Sequence, residues 1–168
     1  VDFGLGSLWK PNKLLEFRPL FADKLELICH RDHELAQKSD DVHLNALENS
    51  TFLDTGITQT LRIRENFGES KFDFPNITTL LAMLKSNLGV SVLPSLAIPK
   101  STGDLVSRPL FPTEVREIYL ITRKGWTLSP AAEAMIETII RETPNQVEKH
   151  RLTLLYPSKK APSSKVRG

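Results

Sequence analysis

The 168-residue sequence is short of several things that would assign it a chemistry at once. It has one cysteine, Cys29, so no internal disulfide can form, which fits a reducing compartment such as the cytoplasm. No apolar run approaches the ~18 residues of a membrane span, so no transmembrane segment is expected. The opening VDFGLGSLWK lacks a basic start followed by a long apolar stretch, so it does not read as a secretory signal. There is no phosphate-cradling Gly-x-x-x-x-Gly-Lys loop and no serine in a Gly-x-Ser-x-Gly elbow. Gly4-Leu5-Gly6 could begin a dinucleotide fingerprint, but its third glycine would fall at Trp9, and the motif reads as a turn.

What is present is an ordinary globular composition, 40% hydrophobic and 25% charged. The net charge of +2 is unevenly spread. From Thr143 onward the chain carries Lys149, Arg151, Lys159, Lys160, Lys165 and Arg167 against Glu148 alone, leaving 16 basic and 19 acidic side chains before it. A mildly acidic body is not the electrostatic footprint of a nucleic-acid-binding surface.

Along the chain, strand and helix patterns alternate, which predicts an α/β fold with largely parallel sheets. The chain opens on a core-like strand, Asp2 to Leu5, as though it began inside an element. Leu14 to Phe21 and Lys24 to His30 read as two strands, the second with Leu25, Leu27 and Cys29 alternating with polar neighbours. Val42 to Leu47 reads as a short helix capped by Asp41, and Thr51 to Leu53 as a strand broken by Asp54-Thr55-Gly56. A helix follows from Thr58 or Thr60 to Asn66, with Leu61, Ile63 and Phe67 on its apolar face, then a strand from Lys71 to Phe74. The clearest helix has Asn76, Thr78 and Thr79 as capping side chains, and Leu80, Leu81, Leu84 and Leu88 as its stripe. Asn87 and Gly89 end it, both tolerating positive φ. Val90 to Leu93, Leu105 to Pro109 and Glu117 to Thr122 read as strands, and Pro94 starts a short helix. Ser129-Pro130 opens a helix to about Glu142, with Ala132, Met135, Ile136 and Ile139 buried. Residues 143–168 read as a basic, mostly disordered tail.

Cys29, His30, Asp32 and His33 have metal-ligating side chains, but Cys29 and His30 face opposite ways on a strand, and no second cluster completes a tetrahedral set. The expectation is therefore no metal and no cofactor. His43 and His150 fall in a short helix and the tail, and no nucleophile–base set is visible near either. The chain does not read as an enzyme.

Four segments together resemble the effector-binding domain of the LysR-type transcriptional regulators. They are VDFGLGSL, FRPLFADKLELICHRDHELA with its His33-Glu34-Leu35-Ala36 turn, NITTLLAMLKSNLGVSVLPSLAIP with Leu93-Pro94, and REIYLITRKGWTLSPAAEAMIETI. They follow the family's order over residues 1 to about 142, with Asn87 where a glycine is common. The resemblance implies an α/β, type 2 periplasmic-binding-protein-like domain of two lobes joined by crossing strands near Arg18–Asp23 and Thr113–Ile118. Residues 24–117 would form lobe II, and residues 1–23 with 118–142 a partial lobe I. The family's N-terminal winged helix-turn-helix, its linker helix and the first βαβ of lobe I have no counterpart in these residues.

In such a domain a small ligand lies between the lobes and biases their angle. Helix N-termini with hydroxyl side chains suit an anion, because free N–H groups and the dipole favour negative charge. Thr55, Gly56, Thr58 and Thr60 form one such group, Thr78 and Thr79 another, and Gly6, Ser7 and Leu8 would contribute from the opposite lobe; plain capping is the other role open to these threonines. The resemblance thus implies a small, anionic organic effector, with weak or absent binding by this chain alone. It also implies DNA contact only through the helix-turn-helix of the intact protein, a homodimer or tetramer, a cytoplasmic location and no membrane partner. Other readings are a transporter's solute-binding protein, a two-lobed α/β enzyme fragment, or a decayed reading frame.

Overall fold

The computed structural model describes residues 1–7, 12–56, 72–101 and 103–156. The chain divides into two compact units: unit 1, Val1–Ala22 with Glu117–Gly168, and unit 2, Asp23–Arg116.

Unit 2 is organised on the long strand β2, Leu15–His30, which enters it at Asp23. Here period-2 alternation acts on both faces. Leu25, Leu27 and Cys29 are buried in one cluster with Leu35, Val42, Leu44, Leu47, Phe52, Val90, Val92 and Leu110. Ile28 belongs to the other, with Leu53, Leu80, Leu84, Leu93 and Leu105. The remaining strands are β3 (Val42–His43), β4 (Leu53–Asp54), β5 (Phe72–Asp73), β6 (Val90–Pro94) and β7 (Leu105–Phe111). β6 and β7 flank β2, each antiparallel to it, while β3 pairs parallel with β7. β4 pairs parallel with β5, and a parallel bridge Phe52↔Val90 links the chain ahead of β4 to β6.

The expected largely parallel sheet is therefore corrected. Five strands run one way, but both pairings across β2 are antiparallel. β2 arrives directly from unit 1, without the helical crossover that a parallel neighbour needs.

The strands read separately as Leu14–Phe21 and Lys24–His30 are this one strand of 16 residues. The polar interruption at Asp23 does not break it, because Arg116 forms two hydrogen bonds with that carboxylate: Nε to Oδ1 at 2.9 Å and Nη2 to Oδ2 at 2.8 Å. The stretch expected as a helix from Val42 is β3 followed by a 3-10 turn, Leu44–Leu47, and the residue at its cap is His43 rather than Asp41. Pro94 ends β6 and leads into a 3-10 turn, Ser95–Ala97.

Helix α1, Ile77–Lys85, begins at Asn76, whose Oδ1 accepts from the Thr79 N–H at 2.9 Å. Leu80 and Leu84 are fully buried, each contributing about 1.5–3 kcal/mol. Leu88 is 49% exposed, because the helix stops at Lys85 and Asn87 turns the chain at φ 53°. Leu88 therefore leaves the expected stripe.

In unit 1, β1 (Phe3–Gly6) pairs antiparallel with β8 (Val115–Arg123), from Phe3↔Thr122 to Gly6↔Tyr119. β1 is not buried as expected: Leu5 is 55% exposed on a strand with β8 as its neighbour. Helix α2 starts as anticipated, with Ser129 Oγ accepting from the Ala132 N–H and Pro130 in the first turn. Its inward side carries Ala132, Thr143 and Val147, with Ile136 and Ile139 half-buried, whereas Met135 is 53% exposed and is removed from the expected stripe.

The larger correction concerns residues 143–168. α2 runs Pro130–His150, through Pro144, and is followed by a short strand β9, Thr153–Leu154, on β2. Residues 143–156 are thus ordered structure. The rest of the expected tail, 157–168, lies outside the described residues, as does the expected helix at 58–66.

Candidate functional site

β4 and β5 run parallel and end together at Asp54 and Asp73. Open α/β sheets bind ligands beyond the carboxyl ends of their strands, where loops diverge and backbone groups are left free. Two of the anticipated groups meet at this end. Thr55-Gly56 directly follows β4, with Gly56 at φ 79°, a conformation that suits glycine. Asn76–Thr79 follows β5, and the Phe74 N–H donates to the Asp54 carbonyl at 2.7 Å, which ties the two exits together.

Their free groups differ. Thr79 is occupied locally, since its N–H and its hydroxyl both donate to Asn76 Oδ1, at 2.9 and 3.1 Å. It is a partner in the helix cap. Thr78 is exposed in the first turn of α1. The Thr55 N–H is also taken, by Asp54 Oδ1 at 2.7 Å. The Thr55 hydroxyl, by contrast, is buried and has no hydrogen-bond partner. A buried polar group left unpaired costs about 1–3 kcal/mol, so this hydroxyl, like that of Ser50, calls for a partner such as a water or a ligand; of the two, only Thr55 stands at the β4 exit.

Thr58, Thr60 and Leu8 lie outside the described residues. In unit 1, Gly6 closes β1 opposite Tyr119, and Ser7 beside it is half-buried. The sequence reading used Asp54 only as a strand breaker. It is 1% exposed, and its carboxylate fixes the Thr55 backbone. An aspartate one residue before Thr-Gly at a strand end is the signal that could have singled it out.

The Cys29–His33 cluster serves the turn after β2. His30 Nδ1 accepts from the Asp32 N–H and His33 Nδ1 from the Leu35 N–H, each at 3.2 Å. Among the described residues no group of three or more His, Cys, Asp or Glu side chains is arranged to hold a metal.

Burial pushes the Cys29 thiol up to about 11, against a smaller opposing pull from Arg108. The folded protein at pH 8 should therefore leave Cys29 unlabelled by an alkylating reagent, with labelling appearing only on denaturation. Rapid labelling of folded protein would contradict this placement.

Burial holds the His33 imidazole below its ordinary 6.5, with Glu34 opposing it. The unfolded chain then takes up this proton more readily than the folded one. The stability linked to neutral His33 is present above about pH 6.5 and is lost as the pH falls through its folded value. The unfolding midpoint of the protein should fall in acid relative to that of His33→Asn, which can still cap the turn but does not titrate, while above pH 6.5 the difference between them should stay constant.

A depression of about 590 Å³ lies near β3, lined by Lys38, Asp40, Asp41, His43 and neighbours. Those four side chains are exposed, and none of the lining side chains is buried and unpaired, so it does not compete with the β4 end.

Comparison with known proteins identifies the family. The family profile of the LysR substrate binding domain matches residues 1–144. The chain is 29% identical over 148 residues to the HTH-type transcriptional regulator YbhD of Escherichia coli, covering 83% of this chain and 47% of that protein. It is 29% identical over 152 residues to YfeR of Shigella flexneri, covering 83% and 48%. It thus spans about half the length of these curated relatives. The effector binding domain of QuiR in complex with shikimate superposes with a TM-score of 0.72 at 19% identity, over 86% of this chain and 72% of that one, a likeness of fold.

Proposed function

The chain belongs to the LysR substrate-binding domain family, with the type 2 periplasmic-binding-like fold, and from that premise we propose that it is the ligand-sensing part of a DNA-binding transcriptional regulator. Its effector is a small organic acid. Thr55 and Gly56 provide the central contacts, with Thr78 contributing beside them. Thr79 supports the site through its cap with Asn76.

The observation that carries this reading is the buried, unpartnered Thr55 hydroxyl beside Gly56 at the carboxyl end of β4. A hydroxyl can donate to a carboxylate or accept from an effector hydroxyl, and its burial strengthens either bond. Shikimate, held by the QuiR domain, carries both kinds of group.

We read unit 2 as lobe II and unit 1 as lobe I, with the sensing lobes at residues 24–117 and at 1–23 with 118–142. In the intact regulator, DNA is contacted through an N-terminal helix-turn-helix, and the assembly is a cytoplasmic homodimer or tetramer. No catalytic role is assigned: the Asp54 carboxylate at the β4 end is engaged by the Thr55 N–H, and the family is one of regulator effector-binding domains.

A thermal-shift screen of the intact regulator should find stabilisation by small carboxylates, and Thr55→Val should weaken that binding about tenfold, the worth of one buried hydrogen bond. Stabilisation only by cationic or neutral compounds would overturn the effector class. Unchanged binding in Thr55→Val would overturn the site.

A further inference from the structure

Helix α2 continues for six residues beyond Pro144, although a proline inside a helix removes a hydrogen bond and usually ends it. The carbonyl deprived of its donor is that of Ile140, four residues earlier. That carbonyl accepts from the Tyr156 hydroxyl at 2.7 Å. Tyr156 is held in place from several sides. Arg151 turns the chain in the left-handed conformation, at φ 55°, and the Leu152 N–H donates to the Val147 carbonyl at 2.9 Å. β9 pairs with Phe21 and Ala22 of β2, and the Leu155 N–H donates to the Leu20 carbonyl at 3.1 Å. The Arg18 guanidinium lies 5.8 Å from the centre of the Tyr156 ring.

These contacts all lie within unit 1, and Arg151–Tyr156 lies beyond the family match, which ends at 144. We infer that Arg151–Tyr156 is a strap that completes unit 1: Tyr156 replaces the donor missing at Pro144, so that the last turns of α2 and the β9–β2 pairing form or open together. The strap is then a conformational device whose release frees the edge of β2 at Leu20–Ala22.

The test is a two-by-two set of full-length chains followed by amide hydrogen exchange: the parent, Tyr156→Phe, Pro144→Ala, and the double variant. Tyr156→Phe keeps the ring and removes only the hydroxyl. It should speed exchange of the Val147, Leu152 and Leu155 amides together, by about three- to tenfold. Pro144→Ala supplies a backbone N–H for the Ile140 carbonyl, so in that background the same substitution should change exchange less than about twofold. Unchanged exchange in Tyr156→Phe overturns the strap. An equal loss in the Pro144→Ala background shows the hydroxyl acting elsewhere and overturns it as well. Acceleration at Leu155 with Val147 unaffected would contradict the joint opening.

Discussion

Arg116→Ala should lower the unfolding free energy by about 3–5 kcal/mol, because it strands a buried carboxylate. The Asp23 side chain has no exposed surface, while that of its partner is 21% exposed. Two parallel hydrogen bonds, at 2.9 and 2.8 Å, match the guanidinium fork to the carboxylate. Close by, the Leu25 N–H donates to the Glu114 carbonyl at 2.9 Å, so this junction of β2 and β8 is pinned by backbone and side chain together. Without Arg116, the buried carboxylate loses both guanidinium hydrogen bonds and disturbs β2 around it. The pair need not be net stabilising for this to hold. A double replacement, Asp23→Leu with Arg116→Met, should recover most of the loss, since it removes both charges. Arg116→Lys should fall between, offering a point charge where a fork is required. Urea unfolding of the four chains checks the series, and an Arg116→Ala loss below about 1 kcal/mol, the range of an exposed ion pair, would contradict it.

Gly89→Ala should also be strongly destabilising, for a reason of space. A Cβ at Gly89 would lie 2.2 Å from the Thr51 carbonyl oxygen and 3.2 Å from Leu53 Cγ. The first obstacle is backbone, and that carbonyl already accepts from the Val90 N–H at 2.9 Å. Relief requires moving either the entry to β4 or the start of β6, and both line the core of unit 2. The expected cost is about 1–3 kcal/mol, as for overpacking elsewhere. Gly4→Ala is the control: nothing lies within 4 Å of its Cβ position, and the change should cost less than about 0.5 kcal/mol. Thermal denaturation of both variants checks the contrast. Equal midpoints would contradict the close approach.

Gly89 also marks what was legible in the sequence. Its place at the end of a helix suggested a positive-φ cap. That task falls to Asn87, and the glycine is needed for tertiary clearance that no local pattern encodes. The strand carrying Leu25, Leu27 and Cys29, the helix carrying Leu80 and Leu84 and the Ser129 cap were readable because their signals are periodic or local. The continuation past Pro144 was not, since the donor that permits it arrives twelve residues later and only after β9 has paired. The pairing of Asp23 with Arg116 spans 93 residues, so Asp23 looked like a polar break in a strand. At the candidate site, Thr55-Gly56 could be named from turn chemistry. The burial of its hydroxyl depends on the packing at the β4–β5 exit and had to be observed.

That hydroxyl separates a group kept for a ligand from one kept for the fold. Urea unfolding of Thr55→Val, without added ligand, tests the distinction directly. Valine keeps the shape and suits a strand end, and it removes an unpaired polar atom. The midpoint should stay where it is or rise, by up to about 1 kcal/mol in stability. A loss of more than about 1 kcal/mol would mean the hydroxyl serves the fold, and would remove the observation on which the sensing site rests.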